Sequence, residues 1–392
     1  MVSKTKDGKI ITIAYFNLFT WLGGGEYSVL RLVEQLDSSR FRALMLVNKR
    51  GPLVECTEKS GITTVVIPFV VTTPARLLTP QVMFKNLKAS LQIPRVLQSY
   101  DVDIIHCSDV FSLLLLMPTF IKLQLPVVYN VIVFYSALRS WVFGLLTFFF
   151  VQRIVTNSHL VRNDLLQKTV GLSEKTTVAY YGVDTSVFYP RTNDEKKTLR
   201  GKLNLPEGKK IVGFVGRYDV WKGHLTFLDA AKQLSASRDD TVFLMVGGPI
   251  TKEVAPWVEK YQTRVLARAN ELQLDNCLLI WNHRDDIPDV MAVLDVFVCP
   301  SDYEPFGLVA LEAWQSGVPV VASTTVGAME VLRDEPDVFE AEPKNAASFA
   351  DRIHAALLYS PASHQSGRSD TAERFTWRSY AQQFEQLYLS AA

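Results

Sequence analysis

The sequence predicts an α/β protein built from two Rossmann-like domains. Three observations carry that expectation: the length of the chain, the alternation of short β-rich runs with longer helical patterns, and glycine-bearing turns where strands give way to helices. At 392 residues the chain exceeds the roughly 250–300 that a single hydrophobic core serves, so two cores are expected. Strand and helix patterns that alternate throughout both halves are the mark of βα units around parallel sheets.

The first strand candidate, Ile10–Phe16, is β-branched and aromatic. It leads to Gly23-Gly24-Gly25-Glu26, and then Val29, Leu30, Leu32, Val33 and Leu36 recur at helical spacing. Arg42–Val47, Thr63–Ile67, Asp103–His106, Val127–Val133 and Arg153–Thr156 continue the first domain as short apolar runs of the kind that a sheet covered on both faces requires. Residues Pro190 to Lys210, rich in Lys, Asp, Asn, Gly and Pro, read as a solvated connection and place the domains at 1–190 and 191–375. In the second domain the candidates are Lys210–Val215, Thr241–Val246, Cys277–Ile280, Val296–Cys299, Val318–Ala322 and Val338–Glu340. The tail, 376–392, carries Trp377, Tyr380, Phe384 and Tyr388 at helical spacing, a stripe expected to pack against a neighbouring surface.

The chain is nearly neutral overall, yet 19 Lys and Arg stand against 12 Asp and Glu through Pro190, and 22 against 28 after it. A basic first half attracts anionic partners, and an anionic acceptor or membrane surface fits it. Nucleic acid does not, because the cations are scattered, with no dense basic run and no recognisable nucleic-acid module. Cys56, Cys107, Cys277 and Cys299 stand far apart without metal-ligand spacing, and they read as free thiols in a reducing compartment. The N-terminus, Met-Val-Ser-Lys-Thr-Lys-Asp-Gly-Lys, leads into a short strand rather than a secretory leader, which makes cytoplasmic location the expectation. Trp141 to Val151 is apolar but about half the length needed to cross a bilayer. It reads as a buried helix; Arg139, Arg153 and the separate segment Arg76 to Arg95 supply the alternative of interfacial attachment.

Ligands of open α/β sheets sit beyond the carboxyl ends of the strands, where loops and helix N-termini converge. Gly23 and Gly24 let backbone amides approach an anion there, although such turns serve packing as often. Gly216-Arg217 ends a strand candidate and Lys222-Gly223 opens the following helix, so both cations can face one crevice. An isolated pair of this kind is usually a solvated surface feature. Further on, however, Ser301 to Gly307 forms a second strand-to-helix loop, with Glu304 before the helix and Glu312 within it. The amides of Phe306, Gly307 and Leu308 would then point at bound phosphate or sugar. Fixed cations suit a diphosphate and carboxylates accept hydrogen bonds from sugar alcohols, so the set points to a nucleotide sugar, with Glu304 at the sugar and Glu312 at the ribose.

With these motifs in place, nearly the whole chain resembles the retaining, nucleotide-sugar-dependent glycosyltransferases of family four, which have the GT-B fold. Gly182-Val-Asp-Thr-Ser-Val-Phe-Tyr-Pro190 is similar to the family's segment before the interdomain linker, and Ser323 to Glu330 to its glycine-containing loop after the Glu motif. The resemblance implies two Rossmann-like domains with a donor/acceptor cleft between them, and a C-terminal helix, 376–392, that crosses back to the N-terminal domain. It implies Arg217 and Lys222 as ligands of the donor diphosphate, Glu304 as the contact to the transferred sugar, Glu312 as the ribose ligand, and Gly23 and Gly24 as the front-domain loop beside the donor. It also implies no metal and no cofactor beyond the donor; Asp101-Val-Asp103 leads into a strand instead of following one.

One position departs from the family. Ile132 stands at the end of Pro126-Val-Val-Tyr-Asn-Val-Ile132, where the family commonly has a histidine near the transferred sugar. His106 or Asn130 are the candidates to contribute there, set against the plainer reading of a core or rim histidine. The expected activity is transfer of a sugar from a nucleoside-diphosphate sugar to a hydroxyl of a glycan, lipid-linked or small-molecule acceptor, with Glu304, Arg217 and Lys222 at the reaction centre. Peripheral membrane contact through the basic N-terminal domain accompanies it. A nucleotide-sugar epimerase on the same fold and a non-catalytic donor-binding subunit are the alternatives.

Overall fold

In a computed structural model of the protein, the structure describes residues 9–72, 74–248, 256–359 and 368–391. The segment 1–8, on which the expectation of a cytoplasmic location rests, lies outside the described residues. The chain forms two compact units, Met1–Tyr181 with Trp377–Ala392, and Gly182–Thr376.

The first unit is a sheet of seven parallel strands, β1 (Ile11–Asn17), β2 (Phe41–Val47), β3 (Thr63–Val66), β4 (Ile104–Cys107), β5 (Val127–Val131), β6 (Arg153–Thr156) and β7 (Thr176–Val178). They lie in the order β3-β2-β1-β4-β5-β6-β7. In register, Ile13 stands between Ala43 and Ile104. Helices cover both faces, so the central strands are buried throughout, as unbroken apolar runs require. β7 was not legible: three residues at a sheet edge show neither an alternation nor a run.

The second unit is a six-stranded parallel sheet of β8 (Lys210–Val215), β9 (Thr241–Val246), β10 (Leu278–Trp281), β11 (Val296–Cys299), β12 (Val320–Ser323) and β13 (Val338–Ala341), in the order β10-β9-β8-β11-β12-β13. Each unit has its own core, with Phe16, Leu44, Ile105 and Phe143 in the first and Phe214, Phe227, Phe243 and Val298 in the second. Strand order reverses between β1 and β4 in one sheet and between β8 and β11 in the other. Crevices beyond the carboxyl ends of those strands are where such sheets take ligands.

Three expectations change. The units divide before Gly182 rather than after Pro190, because Val183 N–H donates to the Phe375 carbonyl (2.8 Å) and Pro190 packs against Gly317, both in the second unit. Within Pro190 to Lys210 stands a helix, Asn193–Lys202, that buries none of its residues. A capping box starts it: the Thr192 hydroxyl accepts from Glu195 N–H while the Glu195 carboxylate accepts from Thr192 N–H, a signal present in the sequence as Thr-x-x-Glu. The helix Ala137–Phe150, expected to be buried, turns only Ser140, Phe143 and Thr147 fully inward, whereas Leu138, Trp141, Leu145, Phe148 and Phe149 face outward.

The C-terminal helix Trp377–Ala391 belongs to the first unit and packs on the helix Gly24–Gln35. Its stripe of Trp377, Tyr380, Phe384 and Tyr388 is buried. No helix among the described residues is long and apolar enough to cross a membrane.

Candidate active site

In the second unit the motifs converge at the reversal between β8 and β11. β8 delivers Gly216 and Arg217, and Gly216 N–H donates to Val246 O of the neighbouring β9 (2.9 Å). A short 3-10 turn, Val220–Lys222, then ends at Gly223, whose φ is +77°. A Cβ there would lie 1.9 Å from the Pro300 carbonyl oxygen. Only glycine satisfies both the left-handed backbone and that close approach, which brings the loop after β8 onto the loop after β11. Asp302 N–H donates to Trp221 O at 2.7 Å and ties the two loops together.

The loop after β11 presents Glu304. Its N–H donates to Thr325 O (3.1 Å) and its carbonyl accepts from Gly327 N–H (3.0 Å), so the loop after β12 fixes its backbone from both sides. Gly307, with φ +87°, caps the helix Leu308–Gln315; a Cβ on it would meet Val326 Cγ1 at 2.7 Å. Phe306 is buried beneath this turn. The N–H groups of Gly307, Leu308 and Val309 find no acceptor among the described residues, the usual state of a helix N-terminus.

Lys222 Nζ lies 2.6 Å from Glu304 Oε2, with side-chain exposures of 17% and 13%. The Ser301 hydroxyl donates to the same oxygen at 3.3 Å. Burial is the largest single influence on Lys222 and lowers its pKa, but the charge and hydrogen bond of Glu304 together with Cys299 outweigh it and the net shift is upward, so the ammonium is held charged. Arg217 opposes that shift, which places its charge within electrostatic reach of Lys222. Its guanidinium is half-exposed and pairs with Asp219 at 3.0 Å. Glu312 follows in the helix, partly shielded, and its carboxyl accepts from no donor among the described residues. Burial pushes it up to about 7. The arrangement thus offers two cations, a set of unpaired amides and two carboxylates, the donors and acceptors that a diphosphate and sugar hydroxyls use.

His224, one residue beyond Gly223, takes no part: it is buried, stacked on Tyr218 (4.8 Å between centroids), and burial, with Lys222 next, depresses it to about 3.

The other sequence-predicted residues lie in the first unit. Gly23 caps the helix Gly24–Gln35 and Gly24 begins it, with open space around the position of a Cβ on Gly24. Beside them Ile132 packs so closely on Gly25 that a Cβ there would lie 2.5 Å from Ile132 Cδ1. His106 and Asn130, the candidates for the acceptor side, are both covered by the C-terminal helix. His106 Nδ1 bonds to Tyr388 OH (2.7 Å), Tyr15 OH bonds to the same hydroxyl (2.9 Å), and Asn130 Nδ2 donates to Tyr380 OH (3.4 Å). Burial lowers His106 to about 3. Both side chains are interior, and neither is placed to meet a ligand. Asp103 accepts from Lys9 Nζ (2.8 Å) and Thr12 N–H (2.9 Å), a structural role. Among the described residues no group of three or more His, Cys, Asp or Glu side chains is placed to hold a metal ion.

Sequence reasoning missed Ser301 and Gly247. A Cβ on Gly247 would stand 1.9 Å from Gly216 O, so this glycine admits the loop that carries Arg217. The Gly247-Gly248 pair after an apolar run was the available signal. Ser301, three residues before Glu304, had none beyond its place at a strand end.

Comparison with known proteins agrees with this geometry. Residues 22–187 match the family model "Glycosyltransferase Family 4" and residues 195–371 match "Glycosyl transferases group 1". The chain is 28% identical to spore coat protein SA of Bacillus subtilis over 61% of this chain and 65% of that protein. It is 31% identical to the D-inositol 3-phosphate glycosyltransferase of Corynebacterium diphtheriae over 61% of this chain and 56% of that one. The match therefore spans less than two thirds of the length of these curated relatives. The UDP-Gal:alpha-D-GlcNAc-diphosphoundecaprenol alpha-1,3-galactosyltransferase of Escherichia coli is 27% identical over 88% of this chain and 87% of its own. Among solved structures, Anabaena HepE in complex with UDP and glucose superposes with a TM-score of 0.80 at 21% identity, covering 97% of this chain and 100% of that one. Matched through both of its units by family models and by fold, the chain belongs to the family-four glycosyltransferases of the GT-B fold.

Proposed function

We propose that the protein is a retaining glycosyltransferase that moves a sugar from a nucleoside-diphosphate sugar to a hydroxyl of a glycan, lipid-linked or small-molecule acceptor, with its basic first unit in peripheral contact with a membrane. The observation that carries this reading is the Lys222–Glu304 pair, 2.6 Å apart at the reversal point of the second sheet, with Arg217 within reach and the helix amides of Gly307 and Leu308 without an acceptor among the described residues. The names of the relatives support a nucleotide-sugar donor: the E. coli galactosyltransferase is named for UDP-Gal, and the Anabaena structure holds UDP and glucose.

In this reading the incoming diphosphate takes over the charge of Lys222 and releases a Glu304 oxygen to accept from a sugar hydroxyl. Glu312 accepts from the ribose. The bond between the sugar's anomeric carbon and the β-phosphate breaks, the bond to the acceptor oxygen forms on the same face, and the acceptor proton passes to the departing phosphate. Lys222, Arg217 and the helix-end amides stabilise the negative charge that develops on that phosphate, so the protein's share of the chemistry is positioning and electrostatics.

The test is incubation of purified protein with a panel of nucleotide sugars and extracted acceptors. Transfer with retained configuration supports the reading. Donor isomerisation would assign an epimerase, and binding without turnover a donor-binding subunit.

A further inference from the structure

We propose that the first unit docks on the surface of an anionic lipid bilayer through one helical face, formed around Pro80–Ser99 and Ala137–Phe150. The connections β3 to β4, β4 to β5 and β5 to β6 all step in one direction across the sheet, and right-handed crossovers put their helices on one face. Contacts among the helices Pro80–Ser99, Val110–Leu115, Met117–Leu123 and Ala137–Phe150 bear this out. The opposite face is the one on which the C-terminal helix packs over Gly24–Gln35.

This layer presents apolar side chains to the outside. On Pro80–Ser99, Met83, Leu87 and Leu91 recur at intervals of four residues with Phe84 beside them, all exposed, Phe84 by 69%. The Trp141 stripe of the second helix is equally open, with Trp141 66% exposed, and Ile121 stands out from the helix Met117–Leu123. Exposed apolar stripes on consecutive helices of one layer need an apolar partner.

Charge identifies that partner. Neither the segment Ser60 to Tyr100 nor the segment Val110 to Asn163 contains a single Asp or Glu, while Lys85, Lys88 and Arg95 flank the first stripe and Lys122 neighbours Ile121. Of the cations here, Arg139 is paired with Asp109 at 2.7 Å. Self-association through this face would set like charges against each other, whereas anionic headgroups around an apolar interior match it. Neither helix is long and apolar enough to cross, so both lie in the interface.

The inference rests on the membrane contact proposed above and names the face and the lipid charge that would make it. It fails independently of the glycosyl-transfer reading, because nucleotide binding is measured without lipid. The experiment is flotation of the full chain with vesicles of phosphatidylcholine alone or mixed with phosphatidylglycerol, at low and high salt. The wild type should float with the anionic vesicles at low salt, and less at high salt as screening shortens. Lys85→Ala with Lys88→Ala should weaken partitioning by on the order of twenty-fold, taking each lysine near an anionic surface as about fivefold. Phe84→Ser with Trp141→Ser should abolish it. Both double variants should keep UDP binding and melting temperature, since the replaced side chains are exposed. No flotation of the wild type at low salt, or flotation of both variants like the wild type, would overturn the proposal. So would a lipid-free dimer that Phe84→Ser with Trp141→Ser disrupts, which would assign the face to a second copy.

Discussion

Lys222 and Glu304 stand 82 residues apart in the chain, yet their ammonium and carboxylate meet at 2.6 Å. Both are largely shielded, so each side chain is the other's main counter-charge until a ligand arrives. On the proposed donor assignment, Lys222→Ala removes a charge-assisted contact to phosphate and should weaken UDP binding by about 1.5–3 kcal/mol. Glu304→Ala should leave UDP affinity unchanged or raised, because it frees Lys222, while turnover of the UDP-sugar falls. Calorimetry with UDP and the two variants checks the pair; equal loss in both would mean that Glu304 serves the phosphate rather than the sugar.

The glycines of the loops are not equivalent. Gly223→Ala places a Cβ 1.9 Å from Pro300 O at a positive φ, so it should destabilise the second unit by roughly 2 kcal/mol or more and displace Lys222 with it. Gly24→Ala meets open space at the start of a helix and should change stability by no more than about 1 kcal/mol, in the stabilising direction. Paired thermal melts and UDP titrations would read both effects.

Glu312 gives a pH dependence with a defined sign. Its carboxyl is raised from 4.5 to about 7 by burial, so the folded state holds its proton more tightly than the unfolded one. Stability should therefore fall as pH rises from about 4.5 to about 7 and level off above that. Glu312→Gln should flatten this slope. If the carboxylate accepts from ribose, UDP affinity should rise through the same window in the wild type and not in the variant, which titrations across the window would show.

His106 acts in the opposite sense. Burial depresses it from 6.5 to about 3, so its contribution is fully present above pH 6.5 and is lost as pH falls from there toward 3. Tyr388→Phe removes the hydroxyl that bonds to both His106 and Tyr15, and should cost about 1 kcal/mol at neutral pH. Hydrogen exchange of the C-terminal helix should report earlier opening in acid than the strands beneath it; uniform protection at pH 5 would contradict this.

Much of the fold was legible because parallel sheets buried on both faces write themselves as apolar runs, as in Val127–Val131 and Thr241–Val246. The second-unit site was legible for a related reason: Gly223 and Gly307 mark places where the backbone packs closely on another chain segment, and Lys222 and Glu304 stand near them. The first unit was harder to read. His106 ends an apolar strand like a ligand-facing residue would, and only the docked C-terminal helix, 282 residues from it at Tyr388, reveals that it is interior. The Trp141 segment misled for the converse reason, since composition alone does not say which neighbour covers an apolar helix.

The most direct measurement is nucleoside-diphosphate release, followed by magnetic resonance of the sugar product, from wild type and Lys222→Ala given the same UDP-sugar and acceptor extract. Release with retained anomeric configuration in the wild type, reduced at least about a hundredfold in the variant, is the result expected from electrostatic stabilisation of the leaving diphosphate. Equal turnover by the two proteins would contradict the assignment of the donor site to the Lys222–Glu304 loops.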